Sequence, residues 1–341
     1  MDALIKQVKQ LERIIADANK IVIVQADNPD ADSLGSALAL EHILGDLGKE
    51  TFLYCGVDIP GYLRYLEGWD RVSPELPKTF DASIIVDAST LTLLEKLIQS
   101  GQKSWLASKP CIVIDHHETV DNPIDFAQLT IKQPNRASTG EQIYLLATDL
   151  GWKMSVKAQE YITASILGDT QGLSNQLTTA ETYRIMANMI EAGVDRPTLE
   201  EERRELSKMP PIIFRYKAQL INHTEFSDDG QVAIVTVSQS EINQYSPLYN
   251  PGPLVQNDML QTSGVRVAIV LKRYDDGKIT AAIRCNPGAG VAAKLATHFG
   301  GGGHAFASGF KMHPTRTFEQ VKEECLEQAK QLLADINSEQ R

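Results

Sequence analysis

The stretch IVIVQADNPDADSLGSALALEHILGDL, Ile21–Leu47, decides the fold. Ile21–Val24 is a short all-apolar run, a polar turn from Gln25 to Ser33 follows it, and Leu34–Leu47 is rich in helix formers. The whole reads as strand, loop and helix. Upstream, Leu4, Val8, Leu11 and Ile15 recur at three- and four-residue intervals and predict an amphipathic helix ending near Lys20. Downstream, Thr51–Tyr54, Ala82–Val86 and Cys111–Ile114 read as further strands, with helical segments or loops between them. Strands of continuous Ile/Val character alternating with helices imply a parallel sheet covered on both faces. Asp87 and Asp115 each follow such a strand, at the carboxyl edge where open α/β sheets bind ligands.

The second half of the chain is patterned differently. After a helical stretch at Glu181–Ala192, RPTLEEERRELSKMPPIIFRYKAQL is densely charged, is interrupted by Pro210-Pro211, and reads as a helical connector. From Gln231 onward VAIVTVS, VRVAIVLKRY and KITAAIRC read as strands, with a hairpin turn around DDG at Tyr274–Lys278. Gly290–His298 and 317–336 read as helices, the last with Val321, Leu326, Ala329 and Leu333 on one side. The expected fold class is α/β, with a mainly parallel first domain over residues 1–195, a connector over 196–225, and a smaller α/β domain over 226–341.

Bulk composition narrows the function. At 341 residues the chain has room for two domains, and 43% hydrophobic with 23% charged residues is an ordinary globular balance. A net charge of −11, from 33 Lys+Arg and 44 Asp+Glu, argues against holding long duplexes by neutralising many phosphates. An acidic protein still binds nucleotides where metal ions reverse the local field. The four cysteines, Cys55, Cys111, Cys285 and Cys325, form no CxxC pair, so free thiols are expected rather than a zinc knuckle or a disulfide framework. The N-terminus lacks a signal-peptide pattern and no run approaches the roughly 18 apolar residues of a membrane span. A cytoplasmic location without membrane attachment is expected.

Four clusters carry chemistry: DNPDAD with Asp27, Asp30 and Asp32; VDAS with Asp87; DHH with Asp115, His116 and His117; and LGDT with Asp169. Each alone reads as a turn or a helix cap. Their joint occurrence reads otherwise, since the chain has only seven histidines and two adjoin one buried strand. Carboxylates suit hard divalent cations and imidazole adds affinity for transition metals, so Mn2+ is expected, with Mg2+ or Co2+ as alternatives. Two ions about 4 Å apart, sharing a carboxylate and a hydroxide, would serve in-line attack on phosphorus.

The order of these motifs resembles the DHH phosphoesterases. The resemblance runs from about Lys20 to Gly309 through PDADSLGS, VDAS, DHH and ILGDT, with a C-terminal GGGGHAFASG similar to the hallmark of the DHHA1 domain. The branch it resembles contains nanoRNA-degrading enzymes and 3′-phosphoadenosine 5′-phosphate phosphatases. The resemblance implies a two-metal centre with the nucleophile drawn from a shared water. Asp30 and Asp87 would hold one ion, and Asp32, Asp87, His116 and Asp169 the other. His117 would face the substrate phosphate, with Asp115 orienting the neighbouring imidazole. Arg284, Gly301, Gly302, Gly303 and His304 would bind substrate across a cleft, Arg284 as a phosphate fork. The family histidine three residues before Pro29 is Ala26 here; Asp27 either replaces that ligand or caps the turn, with Gln25 a weaker replacement. The implied partners are short single-stranded oligonucleotides or small nucleotides, not long duplexes, and a homodimer is left open. Hydrolysis of pyrophosphate or polyphosphate, and nucleotide binding without catalysis, are the alternatives; the GGGGH sequence argues against the first and the retained acids and histidines against the second.

Overall fold

The computed structural model describes residues 2–117, 122–246, 249–313 and 315–339. The chain divides into two compact units, the first ending at Lys208 and the second beginning at Met209. The first contains α1 (Asp2–Asp17), β1 (Lys20–Val24), α2 (Ala31–Asp46), β2 (Glu50–Tyr54), β3 (Ala82–Val86), α3 (Glu95–Gln99), α4 (Lys103–Ala107), β4 (Cys111–Asp115), β5 (Leu129–Lys132), α5 (Thr139–Asp149), α6 (Val156–Asp169), α7 (Ala180–Glu191) and α8 (Arg196–Leu206).

Its five strands form one all-parallel sheet in the order β2-β1-β3-β4-β5. The two-residue period of the strands sorts their side chains onto two faces. Ile21, Ile23, Ile84, Val86, Ile112 and Ile114 pack with Leu34, Leu38, Ile143 and Ile162 of the flanking helices. Val22, Val24, Ile85 and Val113 pack with Leu97 and Leu106 on the opposite face. Both faces are covered, which is why the strands read as unbroken apolar runs.

The second unit contains α9 (Pro211–Asn222), β6 (Glu225–Phe226), β7 (Val232–Val237), α10 (Gln239–Tyr245), α11 (Pro251–Gln261), β8 (Val267–Arg273), β9 (Ile279–Cys285), α12 (Ala292–His298), β10 (Gly302–His304), β11 (Ala307–Met312) and α13 (Phe318–Glu339). Its six-stranded sheet, β10-β11-β9-β8-β7-β6, is mixed: β7 and β8 run parallel and the other pairs antiparallel. Residues 196–225 hold α8 in the first unit and α9 and β6 in the second. Leu199 of α8 joins the first core, whereas Ile213, Tyr216 and Leu220 of α9 join the second, so each helix has an apolar stripe to bury. All four cysteines are free and buried. No helix among the described residues is long and apolar enough to cross a membrane.

Close approach of α2 to α6 depends on Gly35, where a Cβ would lie 2.6 Å from the Tyr161 carbonyl oxygen. Gly35→Ala is therefore expected to destabilise the first unit by about 1–3 kcal/mol through overpacking. Urea denaturation checks this: the midpoint should fall, and an unchanged midpoint would mean that the helices separate freely.

Candidate metal centre

The turn after β1 closes onto α2 earlier than its composition indicates. Asp30 is the N-cap, its Oδ1 accepting from Ser33 N at 2.9 Å while its own N–H donates to Ser33 Oγ at 3.2 Å. This reciprocal capping draws Ala31–Ser33 into the helix, although DNPDADS reads residue by residue as turn. Asp32 thereby lies in the first helical turn with no exposed surface. Its Oδ1 accepts from Ser36 Oγ (3.1 Å), Ser165 Oγ (2.6 Å) and Gly140 N (3.1 Å), and its Oδ2 from Thr139 N (2.8 Å). Thr139 and Gly140 open α5, so a helix N-terminus faces this carboxylate.

Asp87 follows β3 with φ +56°, a left-handed conformation rare outside glycine and tolerated where surroundings enforce it. Its N–H donates to Ile114 O at 3.0 Å and its Oδ1 accepts from Thr139 Oγ1 at 3.2 Å. From β4, Asp115 and His117 form a pair, Nδ1 to Oδ1 2.8 Å. Thus the imidazole that Asp115 orients is that of His117, whose side chain is half-exposed. His116 is buried, with Nδ1 3.2 Å from Arg136 O. Its Nε2 lies 2.9 Å from Asp169 Oδ2, 3.4 Å from Asp32 Oδ2 and 3.8 Å from Asp87 Oδ1. Two overlapping groups result, Asp32–His116–Asp169 and Asp87–His116–His117, each with donor atoms within 4.8 Å of one another.

These groups strain one another electrostatically. Asp30 keeps an exposed edge, yet desolvation by the surrounding protein, then the charges of Asp32 and Asp169, pushes it up to about 6. Burial, then Asp32, Asp30, Asp169 and Asp115, holds Asp87 well above the usual carboxylate range. Asp169 is raised by burial and Asp32 against the opposing pull of His116. Burial would lower His116, but Asp169 and Asp32 outweigh it and lift the imidazole to about 9. Burial likewise opposes the charged form of Asp115, yet hydrogen bonds from His117 and Ser89 bring it below its ordinary value. His117 is raised, chiefly by its bond to Asp115.

The residues fit divalent cations. His116 Nε2 is buried and faces three carboxylate oxygens within 4 Å, a geometry suited to a shared cation in place of a shared proton. Carboxylate oxygens with one or two imidazoles form a donor set for Mn2+ and related ions.

Asp27 belongs to neither group. Its Oδ2 accepts from Lys96 N at 2.7 Å in the first turn of α3, and a Cβ at Gly56 would fall 2.4 Å from its Oδ1. Oδ2 thus serves a helix whose own N-cap, Leu94, supplies no side-chain acceptor, while Oδ1 is buried without a hydrogen-bond partner, which leaves both capping and coordination open to this carboxylate. Ala26 is buried among apolar residues, and Gln25 is fully buried with neither amide atom hydrogen-bonded. The shell around Asp32 escapes the sequence reading: NRASTGEQ signals a helix start, and Ser138 does cap α5, but nothing local shows that Thr139 and Gly140 grip Asp32.

In the second unit, register places positions 284, 307 and 304 in one row across β9, β11 and β10. Arg284 is exposed, and its Nη1 donates only to the adjacent Ile283 O among the described residues. The side chain of His304 lies outside the described residues. The glycine run expected as a ligand loop is partly a strand. A Cβ at Gly301 would sit 2.2 Å from Gly309 O, and Gly303, with φ +138°, would place one 2.7 Å from Ser308, so pairing within the sheet itself demands both glycines. Gly302 has open space at its Cβ position.

Residues 20–168 match the family model described as DHH family, N-terminal domain. A bifunctional oligoribonuclease and PAP phosphatase of Thermus thermophilus is 28% identical over 333 residues, 92% of this chain and 94% of the relative. One of the same name from Bacillus subtilis is 23% identical, covering 89% of this chain and 93% of the relative. Among solved structures, an exopolyphosphatase-related protein from Bacteroides fragilis shares the fold with a TM-score of 0.83 at 24% identity, covering 96% of this chain and 98% of that one.

A capping role for Asp27 predicts that Asp27→Asn keeps the wild-type Mn2+ requirement while Asp27→Ala loses about 1 kcal/mol of stability. Metal titrations of activity, paired with denaturation curves, check both. A raised Mn2+ requirement in Asp27→Asn would return Asp27 to the ligand set.

Proposed function

We propose that this chain is a phosphoric-ester hydrolase that acts on small nucleotides: very short single-stranded oligonucleotides, linear dinucleotides and nucleoside bisphosphates. The observation that carries the reading is the convergence of Asp30, Asp32, Asp87, Asp169 and His116 at one sheet edge, with His116 Nε2 2.9 Å from Asp169, 3.4 Å from Asp32 and 3.8 Å from Asp87. Names of the full-length relatives, which act as oligoribonucleases and PAP phosphatases, support the substrate class. The net charge of −11 favours small substrates over long duplexes.

Asp32, Asp87, His116 and Asp169 would hold one divalent cation, and Asp30 with Asp87 a second, Mn2+ being the ion best suited to the donors. Bound cations there would offset phosphate charge and lower the pKa of a water that attacks phosphorus. Asp115 fixes His117 through Nδ1 and favours its protonated form, so that Nε2 of a half-exposed imidazolium can donate to a phosphate oxygen. Exposed Arg284, in the second unit, offers a fork for another phosphate, with Gly301–Gly303 and His304 beside it in the row of strands. No serine or cysteine nucleophile is required.

A 5′-phosphorylated dinucleotide, 3′-phosphoadenosine 5′-phosphate, a cyclic dinucleotide and pyrophosphate, compared as substrates under Mn2+, test the reading. The first two should be hydrolysed in preference to the others, and preference for pyrophosphate would overturn it. Asp87→Ala should reduce turnover by at least about 1000-fold while the protein stays folded, because this carboxylate is assigned to both proposed cation sites. Near-normal turnover in that variant would remove Asp87 from the centre.

A further inference from the structure

A groove of about 1100 Å3 lies within the first unit, beside the acid–histidine cluster. Ala31 and Gly168 line it, each next in sequence to cluster carboxylates, so the groove starts where Asp30 and Asp169 end. On its rim Gln171 has a positive φ of 52°, as has Leu173 two residues on, and the turn is held by Gly172 N to Leu167 O (2.8 Å) and Asn175 Nδ2 to Asp169 O (2.7 Å). Such strain persists where the surroundings enforce it and is concentrated at ligand sites.

Two features of the lining point to a ligand. Tyr62 is 52% exposed, and its hydroxyl donates to Pro29 O at 3.4 Å, which anchors the ring beside the turn that carries Asp30. Four basic side chains, Arg196, Arg203, Arg204 and Lys208, outnumber three glutamates in a chain that is acidic as a whole. Arg203 and Arg204 both bind Glu200, at 2.7 and 2.9 Å, and Lys208 binds Glu205. Arg196 has no ion pair or hydrogen bond among the described residues. An open aromatic ring and an unpaired guanidinium in one groove match a nucleobase and a phosphate, since every base presents a π-face and Arg pairs with phosphate oxygens.

We infer that this groove receives the nucleotide on one side of the bond to be cut, its base stacked on Tyr62 and its far phosphate paired with Arg196. The inference rests on the proposed nucleotide hydrolase activity and adds where the substrate lies. The volume suits a nucleotide and limits how much chain can follow it.

The test compares kcat/KM for a 5′-phosphorylated dinucleotide with that for analogues made abasic at one position or the other. Wild type should favour the full dinucleotide over one abasic analogue on the order of tenfold, the scale of one base stacked on an aromatic ring. Tyr62→Ala should erase that ratio and Tyr62→Phe should keep it. Arg196→Ala should erase the advantage of a terminal phosphate. Turnover of the dinucleotide with the same base preference in Tyr62→Ala as in wild type would overturn the subsite and leave the hydrolase reading standing. Failure of wild type to cleave any nucleotide would overturn the hydrolase reading. Calorimetric titration with the dinucleotide then decides the subsite separately: weaker binding by Tyr62→Ala upholds it, and equal or absent binding in both proteins overturns it.

Discussion

Bringing carboxylates together is the constraint on which the first unit is built. Asp30, Asp32, Asp87, Asp115 and Asp169 meet at the carboxyl edge of one parallel sheet, and desolvation, followed by their mutual charge, raises the pKa of Asp30, Asp87 and Asp169. Isolated buried charge is costly, so each acid needs donors or cations. Asp32 has four protein donors, contributed by three helices, and Asp115 has His117. Asp87 has one hydroxyl donor and a left-handed backbone, and is the group that most requires a positive partner.

The packing serves that arrangement. Gly140 lacks a side chain because a Cβ would meet Ser165 Oγ at 2.1 Å, and Ser165 is the closest donor to Asp32. Gly35 lets α2 and α6 approach, which fixes Asp32 relative to Asp169 at the end of α6. Arg136 links the centre outward: its carbonyl receives His116 Nδ1 while its guanidinium binds Glu181 of α7. The imidazole is therefore oriented by backbone, a partner that side-chain chemistry in the sequence does not disclose.

The parallel sheet was legible because its strands are buried on both faces, so β1, β3 and β4 stand out as runs of Ile and Val. The edge strand β5, Leu129–Lys132, alternates between buried and more exposed positions over four residues and gave no such signal. The site acids were legible from motif order, but not their partners: Thr139 and Gly140 reach Asp32 across 107 and 108 residues of chain. Asp27 shows the opposite limit. Its place in the motif invites metal coordination, and only the fold reveals Lys96 N as its partner. Glycines 301 and 303 carry a similar lesson, since sheet packing accounts for both before any ligand is considered.

Calorimetric titration of metal-stripped protein with MnCl2, followed by thermal unfolding, decides whether this cluster holds cations. Saturable binding to the folded protein and a rise in Tm with Mn2+ are expected, because a cation relieves the repulsion among these carboxylates and binding to the native state adds stability. Absence of binding heat together with an unchanged Tm at millimolar Mn2+ would contradict it.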